Sequence, residues 1–150
     1  MRLVHGIDVD RVEAAVRAAE RSTSGEIRVA LARFYFWGDV RRAAEHAFRR
    51  LHMERTRERN GVLVFVAPRR RTLAIIGDGG IHQKVGDAYW RGLVSLTVES
   101  FRVGELTPGV VHAVEALGHT LSALFPAVPG LDDNQLPDSV VIGPERSGRT

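Results

Sequence analysis

Apolar residues recur along the chain in two rhythms, and each assigns elements. Val9, Val12, Ala15, Val16 and Ala19 follow at helical spacing behind Asp8, a side chain suited to cap the first turn, while Ile7 before the cap can pack back on Val12. This helix is expected to end near Ser22, and Gly25 supplies the break. From Glu26 onward, Ile27, Val29 and Leu31 alternate with Arg28, Ala30 and Ala32, the period of a strand with one better-buried face. The aromatic connection Phe34-Tyr35-Phe36-Trp37-Gly38 reads either as a lid over the core or as a binding platform. Asp39 then caps a second helix with Val40, Ala43, Ala44, Ala47, Phe48 and Leu51 inward.

The pattern centres on Asn60 to Gly80. An unbroken apolar run from Val62 to Ala67, the turn Pro68-Arg69-Arg70-Arg71 and a second run from Leu73 to Ile76 predict two antiparallel strands buried on both faces. Such a hairpin requires a covering layer on each side. It leads through Gly77-Asp78-Gly79-Gly80 into a long amphipathic helix of Ile81, Val85, Ala88, Tyr89, Leu93, Leu96 and Phe101, closed by Gly104. Thr107 as cap and Pro108 as first helical residue start the last helix, with Val111, Val114, Leu117, Leu121, Leu124 and Phe125 inward. Beyond Pro126 the composition shifts to Pro, Gly, Asp and Asn. Residues 1–130 therefore read as one domain and residues 131–150 as an irregular tail, with Ser139-Val140-Val141-Ile142 a short edge strand and disorder from Gly143.

This order of elements predicts an α/β fold, a three-layer α/β/α sandwich with a small mixed sheet of about four strands and about four helices. The strand-helix-strand unit makes the strand from Glu26 parallel to that from Val62, and the tight turn makes the strand from Thr72 antiparallel to both. Glu26 and Asn60 then stand at the sheet end where Asp78 leaves its strand. Asp87, about two turns along the following helix, is placed to lean back toward the same rim. Carboxylates and an amide oxygen are hard ligands of the kind calcium or magnesium takes, although the spacing is not that of an EF-hand. The free N–H groups of Gly79, Gly80 and Ile81 at the helix start could receive an anion. The same residues also admit a structural account, in which Asp78 caps its helix and Glu26 is a solvated acid at a strand end.

Composition narrows the alternatives. The 150-residue chain has no cysteine, which removes disulfides and thiolate metal sites. It shows no signal-peptide core and no apolar run of the ~20 residues a membrane span needs, so a soluble, cytoplasmic protein is expected. Net charge is only +3, with Lys84 the single lysine, and the arginines are scattered except at Arg69-Arg70-Arg71. Diffuse charge of this kind points away from nucleic acid and makes the triple arginine a solvated turn. His112, Glu115 and His119 share a face of the last helix where zinc could bind, or where they are ordinary solvent residues opposite the apolar stripe. No nucleophile elbow, phosphate loop or zinc-protease motif is present.

Thr23-Ser24-Gly25-Glu26-Ile27, then Asn60-Gly61-Val62-Leu63-Val64-Phe65-Val66-Ala67-Pro68, then Ile76-Gly77-Asp78-Gly79-Gly80-Ile81-His82 resemble the successive motifs of the TPM domain family, which includes thylakoid-lumen acid phosphatases. The resemblance runs from about Val9 to Phe125 and, through Asn134-Gln135-Leu136-Pro137-Asp138, extends to the tail of short bacterial single-domain members. It implies an α/β/α sandwich, divalent-metal binding with calcium foremost and, in some members, phosphomonoester hydrolysis. The family's acidic positions fall on Glu26, Asp78 and Asp87. Where many members carry Gly-aromatic-Gly-Leu-Glu at the turn, this chain has Gly-Asp-Gly-Gly-Ile-His, so that His82 takes the place of an acid. The functions that follow are a metal-dependent phosphatase acting on a phosphorylated substrate, or a non-catalytic, metal-stabilised module that docks to a protein partner.

Overall fold

A computed structural model describes residues 1–35, 38–130 and 139–146. A short hairpin of β1 (Leu3–Val4) and β2 (Ile7–Asp8) precedes α1 (Val9–Glu20), β3 (Glu26–Phe34), α2 (Val40–Arg50) and β4 (Gly61–Ala67). After a 3₁₀ turn at Pro68–Arg70 come β5 (Thr72–Gly77), α3 (Gly79–Val85), α4 (Asp87–Arg102), α5 (Leu106–Leu124) and β6 (Val140–Arg146). The sheet order is β5-β4-β3-β6, with β3 parallel to β4 and β6 and with β5 antiparallel to β4. This is the mixed four-stranded sheet expected from the strand-helix-strand unit and its hairpin.

Period-two alternation in β3 separates two cores. Ile27, Val29 and Leu31 join Val62, Val64, Val66, Leu73 and Ile75 beneath α1, α4 and α5. Ala30 and Ala32 join Leu63, Phe65, Ala67 and Ala74 beneath α2, whose Ala44, Ala47 and Phe48 complete the second layer. Every residue of β4 is buried, as an unbroken apolar run in a central strand requires. The result is a three-layer α/β/α sandwich. Helices α1 and α2 start where expected: Asp8 accepts the Arg11 amide at 3.2 Å and Asp39 the Arg41 amide at 2.9 Å.

Three details differ from the sequence reading. The long helix expected from Ile81 to Phe101 divides at Gly86, whose φ of +80° is a conformation L side chains rarely adopt, so the described residues form five α-helices and Asp87 begins its own. Thr107 is not a cap, because α5 already starts at Leu106. Its hydroxyl instead accepts the Asp8 amide at 3.0 Å and donates to the Gly6 carbonyl at 3.2 Å, tying the first hairpin to α5. Finally, β6 continues past Gly143 to Arg146, because pairing with β3 persists across a register shift between Ala32 and Phe34. Phe36, Trp37 and the Asn134–Asp138 segment lie outside the described residues, as do the rest of 131–138 and 147–150. Among the described residues no helix is long and apolar enough to cross a membrane.

Candidate functional site

Three strand ends meet at one edge of the sheet. Glu26 at the start of β3 stands opposite Gly61 at the start of β4, while Val62 stands opposite Gly77 and the Asp78 amide donates to the Gly61 carbonyl at 2.9 Å. Neighbouring strands lie ~4.8 Å apart, so Glu26, Asn60 and Asp78 occupy successive rows of a single rim. All three are withdrawn from water, at 5%, 0% and 6% exposure respectively.

Asp78 has two tasks there. It caps α3 by accepting the Gly79 amide on Oδ1 at 2.7 Å, and it holds the Arg59 guanidinium by Nε to Oδ2 at 2.5 Å and Nη2 to Oδ1 at 2.8 Å. The carboxylate beside it holds the Arg59 proton more firmly than usual. Gly80 makes this pair possible. A β-carbon on Gly80 would lie 2.1 Å from the Glu58 carbonyl oxygen and 2.6 Å from that of Arg59, so only glycine lets this segment rest on α3. Of the three amides expected to receive an anion, that of Gly79 is thus engaged by Asp78. Gly80 and Ile81 remain as first-turn donors.

Asn60 is held from both sides. Its backbone amide donates to Thr56 Oγ1 and its Nδ2 to Ser24 Oγ, each at 3.1 Å. The Ser24 hydroxyl spends its one proton on Glu58 Oε2 at 2.5 Å and must accept from Asn60, which fixes the orientation of the amide. Asn60 Oδ1 is left buried with no hydrogen-bond partner among the described residues.

Glu26 has a neighbour that sequence reasoning did not single out. Glu20, the last residue of α1, accepts the Ile27 amide at 2.7 Å and is hydrogen-bonded to Glu26. Burial first and the Glu26 charge second push Glu20 up to about 8, partly offset by the Ile27 amide and by Arg28. At neutral pH the pair therefore shares a proton. Short separation in sequence, from the end of α1 to the start of β3, was the available signal for Glu20. Arg59 had none, since one arginine in a charged run of several carries no distinguishing pattern.

Asp87 does not join this arrangement. The break at Gly86 turns it toward His82, with Oδ1 3.6 Å from Nε2, and its side chain is 74% exposed. His82 accepts the Trp90 indole N–H on Nδ1 at 3.0 Å, so the neutral ring carries its proton on Nε2, facing Asp87. His112, Glu115 and His119 are exposed on α5, and among the described residues no three His, Asp or Glu side chains already stand together as a metal cluster. The donor chemistry of the rim nevertheless fits a hard cation: two buried carboxylates and an amide oxygen without a donor among the described residues, with a guanidinium now neutralising Asp78. At the hairpin turn, Arg70 donates to the Gly38 carbonyl at 2.9 Å and stacks on the Tyr35 ring at 5.1 Å, a structural use of the arginine run.

The model of the TPM domain matches residues 5–120. The NMR structure of BA42 from the psychrophilic bacterium Bizionia argentinensis is similar at 34% identity and a TM-score of 0.80, over 91% of this chain and 95% of that one. The N-terminal domain of cg2496 from Corynebacterium glutamicum shares the fold at 13% identity and a TM-score of 0.58, over 92% and 80% of the two chains. No curated protein sequence matches the chain.

Proposed function

The chain belongs to the TPM domain family, and from that footing we propose that the rim of Glu26, Asn60 and Asp78 holds a divalent cation, calcium or magnesium. The observation that carries this reading is Asn60 Oδ1, a buried acceptor with no donor among the described residues, on the strand between those that carry two buried carboxylates. An unsatisfied buried acceptor is costly, and a hard cation is one way to satisfy it. Asp87 would complete the set only by turning its carboxylate away from His82. A cation bound at the rim would neutralise phosphate oxygens and polarise a water, the chemistry of phosphomonoester hydrolysis. The chain's own part would be to hold the two carboxylates and Asn60 fixed on strand ends, and to offer the Gly80 and Ile81 amides to the anion. The test is phosphate release from a panel of phosphomonoesters, with calcium, with magnesium and with chelator. Turnover that appears only with metal supports the phosphatase, and metal binding without turnover on any ester removes it.

A second reading, a metal-stabilised module that docks to a protein without catalysis, is favoured by one observation. His82, the imidazole nearest in sequence to the turn, is committed to Trp90 and Asp87 and is not presented as a free acid or base. A rise in melting temperature with metal, of a size set by metal concentration over its Kd, together with no turnover, is the outcome this reading expects.

A further inference from the structure

Arg59 stands where the proposed cation must bind. Its guanidinium takes both oxygens of Asp78, and a divalent ion ligated by that carboxylate needs at least one of them. Holding both cations on one carboxylate would set like charges a few ångström apart in a partly dry site. We infer that Arg59 is the resident counter-ion of the rim, and that a divalent cation binds by displacing it from Asp78. The inference rests on the metal-binding reading above.

Four features make the exchange workable. Asp78 is buried, so a countercharge is required whenever the metal is absent, and Arg59 supplies one from within the chain. The Arg59 side chain is 58% exposed, so its head group can leave into water with little desolvation to overcome. The backbone cannot follow, because the Arg59 carbonyl is pinned over Gly80 and the residue already sits at a left-handed φ of +52°. Movement is thereby confined to the side chain. A destination is also at hand: Glu54 acts on Arg59 electrostatically, and its Oε2 is a buried acceptor with no hydrogen-bond partner among the described residues.

Displacement makes Arg59 the residue that sets metal affinity. A monovalent ion would have to compete with a charge-assisted fork of two hydrogen bonds, so the rim discriminates in favour of divalent ions. Arg59→Gln removes the charge while meeting the same left-handed backbone cost, and Arg59→Lys keeps a charge but loses the fork. The experiment is calorimetric titration of the full chain with calcium for the parent and both variants, paired with thermal melts in chelator. In Arg59→Gln, calcium should bind more tightly by on the order of tenfold or more, the weight of even one charge-assisted hydrogen bond, and the metal-free melting temperature should fall. Arg59→Lys should lie between, and it carries the comparison if Arg59→Gln does not fold. Equal or weaker calcium binding in the variants overturns the displacement and leaves the metal site standing. Absence of calcium binding in the parent and both variants overturns the metal site and this inference with it.

Discussion

Trp90 lies against Gly77 so closely that a β-carbon built on the glycine would fall 2.2 Å from Cζ2 and 2.5 Å from Cη2 of the indole. The contact joins the last residue of β5 to α4 and fixes the ring whose N–H holds His82. Space and not backbone conformation demands the glycine, since Gly77 is not among the residues at positive φ. Gly77→Ala is therefore expected to cost about 1–3 kcal/mol, the usual range for overpacking, and to loosen His82 with it. Chemical denaturation measures the first, and solvent exchange of the Trp90 indole N–H by NMR the second; an unchanged midpoint would mean that Trp90 moves aside freely.

The two glycines after Asp78 have unequal roles. Nothing lies within 4 Å of a β-carbon on Gly79, whereas one on Gly80 would collide with backbone carbonyls of Glu58 and Arg59. Gly79→Ala should stay within about 0.5 kcal/mol of the parent or improve on it slightly by helix propensity. Gly80→Ala should destabilise by about 1–3 kcal/mol and weaken the Arg59–Asp78 pair, because the colliding atoms are backbone and cannot rotate away. Melts of the two variants side by side decide this. Equal losses would mean that the segment over α3 is free to shift.

These positions show what the sequence could disclose. The sheet was legible because alternation in Ile27, Val29 and Leu31 and the unbroken run of β4 have few other solutions, and parallel pairing then placed Glu26, Asn60 and Asp78 on one rim without any knowledge of side chains. The break at Gly86 was not legible. Apolar spacing continues across it from Ile81 to Phe101, and a glycine inside a helical pattern gives no sign that it will adopt positive φ. Helical rise alone therefore carries Asp87 to the rim, while the broken helix turns it to His82. Arg59 and Glu20 are not legible for a further reason: their roles come from tertiary approach, through the close packing over Gly80 and through the end of α1 reaching back to β3.

Glu20 gives the chain a pH dependence of definite sign. Its folded value, about 8, lies above its ordinary value of 4.5, so the folded state binds the proton more tightly than the unfolded chain does. The stabilisation is complete below about 4.5 and is lost as pH rises through about 8, with a slope of at most ~1.4 kcal/mol per pH unit between them. Glu20→Gln keeps an oxygen for the Ile27 amide and an N–H for Glu26 but cannot ionise. In chelator, the variant should therefore lose less stability than the parent between pH 5 and pH 8. Denaturation curves across that interval provide the check, and parallel profiles for the two proteins would show that Glu20 ionises as an ordinary surface acid.

The proposed cation separates the acidic residues by their place in the fold. Asp78→Asn still caps α3, since asparagine caps nearly as well as aspartate, but it removes charge from the β5 end of the rim; Glu26→Gln does the same at the start of β3, on the far side of β4. Both should abolish most of the calcium-induced rise in melting temperature. Asp87→Asn should reduce that rise less, because its carboxylate faces His82 from the start of a separate helix. Without metal, crowding of acids at one rim would by itself make Asp78→Asn stabilising. The structure argues the reverse, because Arg59 already neutralises Asp78 and a shared proton quiets Glu20 and Glu26, so the substitution only strands the guanidinium. Melts of the parent and the three variants in calcium and in chelator test both halves. A calcium shift that survives Asp78→Asn, or that is lost most completely in Asp87→Asn, would move the cation from the strand-end rim to the start of α4 beside His82.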